Sequence, residues 1–180
     1  NDMGELSHIL QWADRQGGQI LIVTESVFSM DGDCAPLSWL VELKEKHKAW
    51  LLVDEAHATG LYGAKRCGMI EESGVGDYVE IQMGTLGKAI GSAGGYICGS
   101  KVLIDLMLHR LRPFMFSTAP VPAQVAAARA GIQLVQSDDG LERCVELWDL
   151  AGRLTDGLIR RGWKLPVVFG AILPLMVGDE

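Results

Sequence analysis

The chain has 180 residues, 48% of them hydrophobic, and its 16 basic against 23 acidic side chains leave a net charge of −7. That length suits one domain with a sizeable core and is short for two, while the acidic balance excludes a basic nucleic-acid surface. No apolar run reaches the roughly 20 residues of a membrane-spanning helix and no signal-peptide pattern opens the chain, so a soluble, cytoplasmic protein without membrane partners is expected.

From the start of the chain, Leu6, Ile9, Leu10 and Ala13 fall at helical spacing over residues 5–15, and Gly17-Gly18 end that helix. The β-branched run 19–25 reads as a buried strand. Residues 38–47 form a second helix, with Leu40, Val41 and Leu43 inward and the lysines outward. Residues 49–53, 78–84 and 94–99 follow as strands, and a helix starts near Lys101. Strand and helix in alternation, with nearly continuous apolar strands, predict an α/β fold: a mostly parallel sheet with helices on both faces. Pro120-Val121-Pro122 opens a long alanine-rich helix to about Gln136, capped near Thr118. Asp138-Asp139-Gly140 breaks it, a second long helix runs from Leu141 to Arg161, and 172–177 closes the chain as a strand. Cys34, Cys67, Cys98 and Cys144 are scattered without CxxC spacing, which predicts a reduced compartment and no metal site.

Ligands of such sheets sit at the carboxyl ends of the strands. Two motifs meet that rule: Leu51-Leu52-Val53-Asp54-Glu55-Ala56-His57, and Gly84-Thr85-Leu86-Gly87-Lys88 with the glycine-rich stretch after it. An apolar run ending in an aspartate, a histidine three residues on and a lysine downstream are what pyridoxal phosphate (PLP) chemistry needs. Lys88 holds the aldehyde as a Schiff base, in surroundings where Leu86, Ala89 and Ile90 help to lower its pKa. Asp54 keeps the pyridine nitrogen protonated. His57 stacks on the ring or hydrogen-bonds its phenolic oxygen, and Thr85 with nearby backbone N–H groups holds the phosphate. Each residue also has a plain reading: Asp54 as a loop cap, His57 as a structural donor, Lys88 as an exposed loop lysine. A nucleotide P-loop at Lys88 fails, because Gln82 and Ala89 stand where glycine and Ser/Thr are required. Ser29 follows the first strand and overhangs the same sheet edge; Ser117 and Thr118 precede a helix and are equally read as its cap.

Together these segments resemble the α-oxoamine synthase family of PLP-dependent enzymes, which have the aspartate aminotransferase-like fold (fold type I). The carriers are residues 24–33 (Thr24-Glu25-Ser26-Val27-Phe28-Ser29-Met30-Asp31-Gly32-Asp33), Val53 to Gly60, Gly84 to Lys88 and Phe116-Ser117-Thr118. The resemblance implies Lys88 as the Schiff-base lysine, Asp54 as the pyridine-nitrogen partner and His57 as the contact to the ring hydroxyl. Ser29 and Thr85 line the cofactor, with Thr85 toward its phosphate. Ser117 and Thr118 reach the phosphate of a neighbouring subunit, since the family's sites are shared across a homodimer. The implied reaction condenses an amino acid with an acyl thioester and loses carbon dioxide. Within the family, Asp54 to Gly60 and Gly32 to Leu37 are most similar to the branch that joins a pimeloyl thioester, on coenzyme A or a carrier protein, to L-alanine in biotin synthesis. Glycine C-acetyltransferase, 5-aminolevulinate synthase and serine palmitoyltransferase share much of the pattern. The family's upstream phosphate loop and its C-terminal arginine have no counterpart here, so the chain is expected to be the central part of a longer enzyme. Residues 1–165 then belong to the incomplete large domain, including the long helices leading out of it, and 166–180 open the small domain.

Two other classes fit parts of the pattern. The Asp54–His57 motif has the form of the Walker B segment of a DEAH-type ATPase, but that needs an upstream P-loop, and none lies before Leu51. A catalytically dead PLP-fold partner subunit conflicts with the presence of Lys88, Asp54 and His57 together.

Overall fold

The computed structural model describes residues 1–165 and 170–178. Helix α1 (Met3–Gln16) starts at Asp2, whose carboxylate accepts the Glu5 N–H, and stops at Gly17, which takes φ 72°. Strand β1 (Leu21–Glu25), helix α2 (Leu37–Lys46), strand β2 (Trp50–Asp54), the short helix α3 (Met69–Glu72) and strand β3 (Ile81–Thr85) follow. Strand β4 (Gly95–Gly99) and helices α4 (Lys101–Arg110), α5 (Arg112–Met115), α6 (Pro122–Gln136) and α7 (Asp138–Arg160) complete the order. The sheet runs β1-β2-β3-β4, parallel from β1 to β3 and antiparallel at β4. No helix of the described residues is long and apolar enough to cross a membrane.

The core lies where α1, α2 and α3 pack on the sheet. It is built from Leu10, Ile22, Leu37, Leu40, Leu51, Val53 and Ile70, with Val75 and Val79 from the approach to β3. Leu51 and Val53 are wholly buried, and each contributes about 1.5–3 kcal/mol by leaving water. The alternate positions Leu21, Val23 and Trp50 are exposed, so within the described residues the apolar strands are covered more fully on one side than on the other.

Several local expectations give way to tertiary context. Lys44 does not point outward: it is 3% exposed, and its ammonium binds Glu80 and Glu45. Burial lowers its affinity for a proton, and those two carboxylates more than reverse the effect. Glu80 also accepts the Leu51 N–H at 2.8 Å, tying α2 to the sheet. Helix α6 begins at Pro122 with Val121 at its N-cap and no side-chain cap, so Thr118 does not cap it; proline at N1 brings no orphan N–H there. Asp138 and Asp139 do not break the helical run but form the first turn of α7, the break being Ser137, whose hydroxyl accepts from Gly140 N–H. Acidic residues in a first turn are favoured by the helix dipole. Residues 172–177 carry no strand, because a strand needs a neighbour to complete its ladder and among the described residues none is paired with them.

Candidate active site

The parallel ladder brings the chemistry to one edge. Glu25 ends β1 and is the register partner of Asp54, which ends β2; Asp54 in turn pairs with Met83 on β3. Asp54 Oδ1 accepts the Ala56 N–H at 2.8 Å and so turns the chain immediately after the strand. The N–H groups of Ala58 and Thr59 both bond to the Glu55 carbonyl, and the turn carries His57 to the sheet edge.

Lys88 meets His57 there: Nζ lies 3.4 Å from Nδ1. The lysine is set by a knot of glycine-rich backbone. Leu86 N–H bonds to Gly94 O, Ser92 N–H to Leu86 O and Gly91 N–H to Lys88 O, all at 2.8–2.9 Å. Gly91 and Gly94 take φ 70° and 104°, which only glycine adopts without strain. Thr85 sits inside this knot, its hydroxyl donating to Gly94 O and accepting from Gly87 N–H, each at 3.1 Å.

His57 and Lys88 share a cavity of about 110 Å³ with Val27, Thr59, Tyr62, Ala89, Ala171 and Ile172. Tyr62 stands edge-on to Trp148 of α7 with ring centroids 5.2 Å apart, and burial, then the nearby Cys34, pushes its phenol up to about 12. Cys144 of α7 donates to Leu61 O at 3.3 Å, so α7 braces the loop that bears His57. Asp54 lines an adjoining depression of about 520 Å³ with Thr24, Glu25, Phe28 and Met83.

Of the residues singled out in the sequence, Thr85 and Lys88 share the loop after β3, His57 meets Lys88 from the loop after β2, and Asp54 ends β2, the strand next to β3. The backbone N–H of Ser29 donates to Glu25 Oε2 at 3.3 Å, which holds the β1 overhang at this edge. Ser117 and Thr118 are exposed between α5 and α6, and Ser117 Oγ closes its own turn on Phe114 O. No hydrogen bond or ion pair joins them to the Lys88 group among the described residues. Glu25, which the sequence pattern alone does not single out, stands with its carboxylate 3.7 Å from His57 Nδ1. Glu55 is likewise unmarked by local pattern. It is 4% exposed and accepts from Ser26 Oγ, Met69 N–H and Ile70 N–H, so it binds the end of β2 to the start of α3.

The donor set fits PLP: an amine beside an imidazole, a carboxylate on the adjacent strand end, and a hydroxyl among glycine N–H groups. The comparisons agree. The aminotransferase class I and II family matches residues 1–180. An 8-amino-7-oxononanoate synthase of Anaeromyxobacter sp. (strain K) is 44% identical over 179 residues, covering 99% of this chain and 44% of that protein. The 8-amino-7-oxononanoate synthase 1 of Bacillus subtilis (strain 168) is 46% identical over 161 residues, 89% of this chain and 40% of its own length. A serine palmitoyltransferase from S. paucimobilis, solved with a bound PLP–myriocin aldimine, superposes with a TM-score of 0.88 at 30% identity, over 97% of this chain and 46% of that one. The chain thus spans less than half the length of these relatives. It belongs to the aminotransferase class I and II family, and the likeness to α-oxoamine synthases carried by its motifs extends along its whole length.

Proposed function

We propose that the protein is a PLP-dependent acyltransferase that condenses L-alanine with a pimeloyl thioester, carried on coenzyme A or a carrier protein, to give 8-amino-7-oxononanoate for biotin. The observation that carries this reading is Lys88 Nζ at 3.4 Å from His57 Nδ1, beside a strand that ends in Asp54. The similarity to 8-amino-7-oxononanoate synthases supports the choice of branch. The reading includes a cytoplasmic homodimer in which Ser117 and Thr118 serve the partner's phosphate site, and residues 166–180 as the start of a second, smaller domain.

When bound, PLP supplies an aldehyde for amines and a ring that takes up the electrons released at the amino-acid α-carbon. Lys88 is the amine that would hold the aldehyde and, when free, would serve as a base for the α-proton. It must shed a proton to act as a nucleophile, and His57 Nδ1 is the acceptor within reach. Asp54 would hold a proton on the pyridine nitrogen through its negative charge. Thr85 Oγ1 and the Gly87 N–H, 3.1 Å apart, would hold the phosphate. Tyr62, Ala171 and Ile172 wall the cavity on one side of Lys88, which is itself exposed rather than enclosed by Leu86, Ala89 and Ile90 as the sequence suggests.

The test uses the full-length protein with PLP, a mixture of alanine, glycine and serine, and a set of acyl thioesters that includes pimeloyl. A product with the mass of the alanine–pimeloyl aminoketone is expected, together with PLP fixed to Lys88 by borohydride. A glycine- or serine-derived aminoketone would move the protein to another α-oxoamine synthase branch. Absence of borohydride labelling at Lys88 would overturn the reading.

A further inference from the structure

Glu25 is a third partner of the Lys88–His57 pair. Its Oε2 lies 3.7 Å from His57 Nδ1, and the same nitrogen lies 3.4 Å from Lys88 Nζ. The parallel ladder and the Ser29 N–H fix the carboxylate in place.

Two groups therefore approach one ring nitrogen, the amine at hydrogen-bond distance and the carboxylate at ion-pair distance, and they favour opposite states of it. Lys88 donates, so it needs the Nδ1 lone pair. A carboxylate accepts, so it needs a proton on Nδ1. While the lysine donates, a neutral imidazole keeps its proton on Nε2. When the lysine nitrogen is engaged elsewhere, Nδ1 is free to carry a proton toward Glu25, and the ring changes tautomer or becomes the imidazolium.

We propose, resting on the function given above, that Glu25 is the positioning residue of His57: it holds the Nδ1 proton whenever the Lys88 nitrogen is bonded to cofactor or substrate. Glu25 touches no reacting atom and acts through the imidazole, so that the occupancy of Lys88 sets the tautomer and charge that His57 presents. Among the described residues, Lys88 from the loop after β3 and Tyr62 from the His57 loop itself line the same cavity as the ring, and Asp54 ends β2 three residues before it.

The test is a proton titration of His57 in the full-length, cofactor-free protein carrying ¹³C-labelled histidine, with its signal assigned through His57→Asn. Glu25→Gln is expected to lower the His57 midpoint by about one pH unit, as loss of an opposite charge at this range does. Glu25→Asp should lower it less. In a Lys88→Ala background, with the competing donor gone, the effect of Glu25→Gln should grow, which measures the coupling. A glutamate that only supports the Ser29 turn would leave the His57 midpoint within 0.2 units (~0.3 kcal/mol) in both backgrounds, and that result overturns the proposal. If Glu25→Gln does not fold, Glu25→Asp carries the test through the same midpoint. Borohydride labelling of Lys88 is scored separately, so failure of the functional reading is distinct from failure of the Glu25 assignment.

Discussion

Gly131 on α6 lies directly against the carbonyl oxygen of Ile90, so close that a β-carbon at position 131 would overlap it. The turn that follows Lys88 is thereby seated on a helix. On its other side Gly60 leaves only 2.7 Å between the β-carbon it lacks and Ala89 Cβ, and Ser92 Oγ donates to Gln124 O at 2.7 Å. Position 88 is fixed by what its neighbours do not carry.

Gly131→Ala should therefore push the Lys88–Gly91 turn off α6. Overpacking of this kind costs about 1–3 kcal/mol, and PLP affinity should fall with it. Gly152→Ala on α7 is the control: nothing lies within 4 Å of its added carbon, and removal of a helical glycine should stabilise by roughly 0.5–1 kcal/mol. Denaturant melts of both variants check the pair. Equal effects of the two would refute the seating argument.

Asp54 combines two duties that Asn and Ala separate. Asp54→Asn keeps an oxygen for the Ala56 N–H, now at 2.8 Å, but loses the charge that would hold the pyridine proton. It should fold like the parent and lose roughly a hundred-fold or more in kcat/KM, the scale for removing one directed electrostatic group. Asp54→Ala should also lose about 1 kcal/mol of stability with the turn's hydrogen bond. Steady-state kinetics and melting of the two variants, compared side by side, test the division.

The sequence could reveal what depends on local pattern. Helices α1 and α2 and all four strands follow from period and glycine stops, and Lys88, His57 and Asp54 from motifs whose chemistry needs few residues. The inward setting of Lys44 is not legible from the helix pattern, because its partner Glu80 lies 36 residues away, beyond any helical period. The place of Glu25 is hidden for the same reason: its link to His57 exists only once β1 and β2 are in register. The α6–α7 break was displaced because Asp138 and Asp139 favour turns and helix starts alike, and only Ser137's hydrogen bond to Gly140 N–H decides between them.

Arg66 is a non-glycine residue at φ 59°, and its side chain repays the strain. Nε donates to Val135 O at 2.7 Å and Nη2 to Ser137 O at 3.1 Å, capping the end of α6. Its own carbonyl accepts the Gly60 N–H at 2.8 Å, which connects that helix end to the His57 loop. Arg66→Ala leaves two carbonyls without their charged donor and should cost about 2–4 kcal/mol. Arg66→Lys can restore one bond and should fall between. Arg66→Gly relieves the backbone and restores neither bond, so it should stay below Lys. Melting of the three variants gives the ranking, and Gly above Lys would show that the backbone outweighs the cap.

Glu55 makes a pH-dependent prediction. Burial raises its pKa, hydrogen bonds from Ile70, Met69 and Ser26 oppose that, and the charge of Asp54 adds to it. A folded-state value above the unfolded one means that the native protein binds more protons between the two. Stability is then fully present below the unfolded value and falls as pH rises through the folded one. The window opens near the ordinary value of 4.5 and extends upward. Glu55→Gln removes this titration, and its amide nitrogen cannot accept from Met69 N–H, whose bond to Oε2 now measures 2.9 Å. At pH 4 the variant should be less stable by about 1–3 kcal/mol, the cost of an unsatisfied buried donor. Its stability should then lack the downward slope, so the gap to the parent narrows as pH rises toward 7. Denaturant unfolding at intervals from pH 4 to 8 measures both curves. A gap that stays constant across the range would mean that Glu55 titrates in the fold as it does in the unfolded chain.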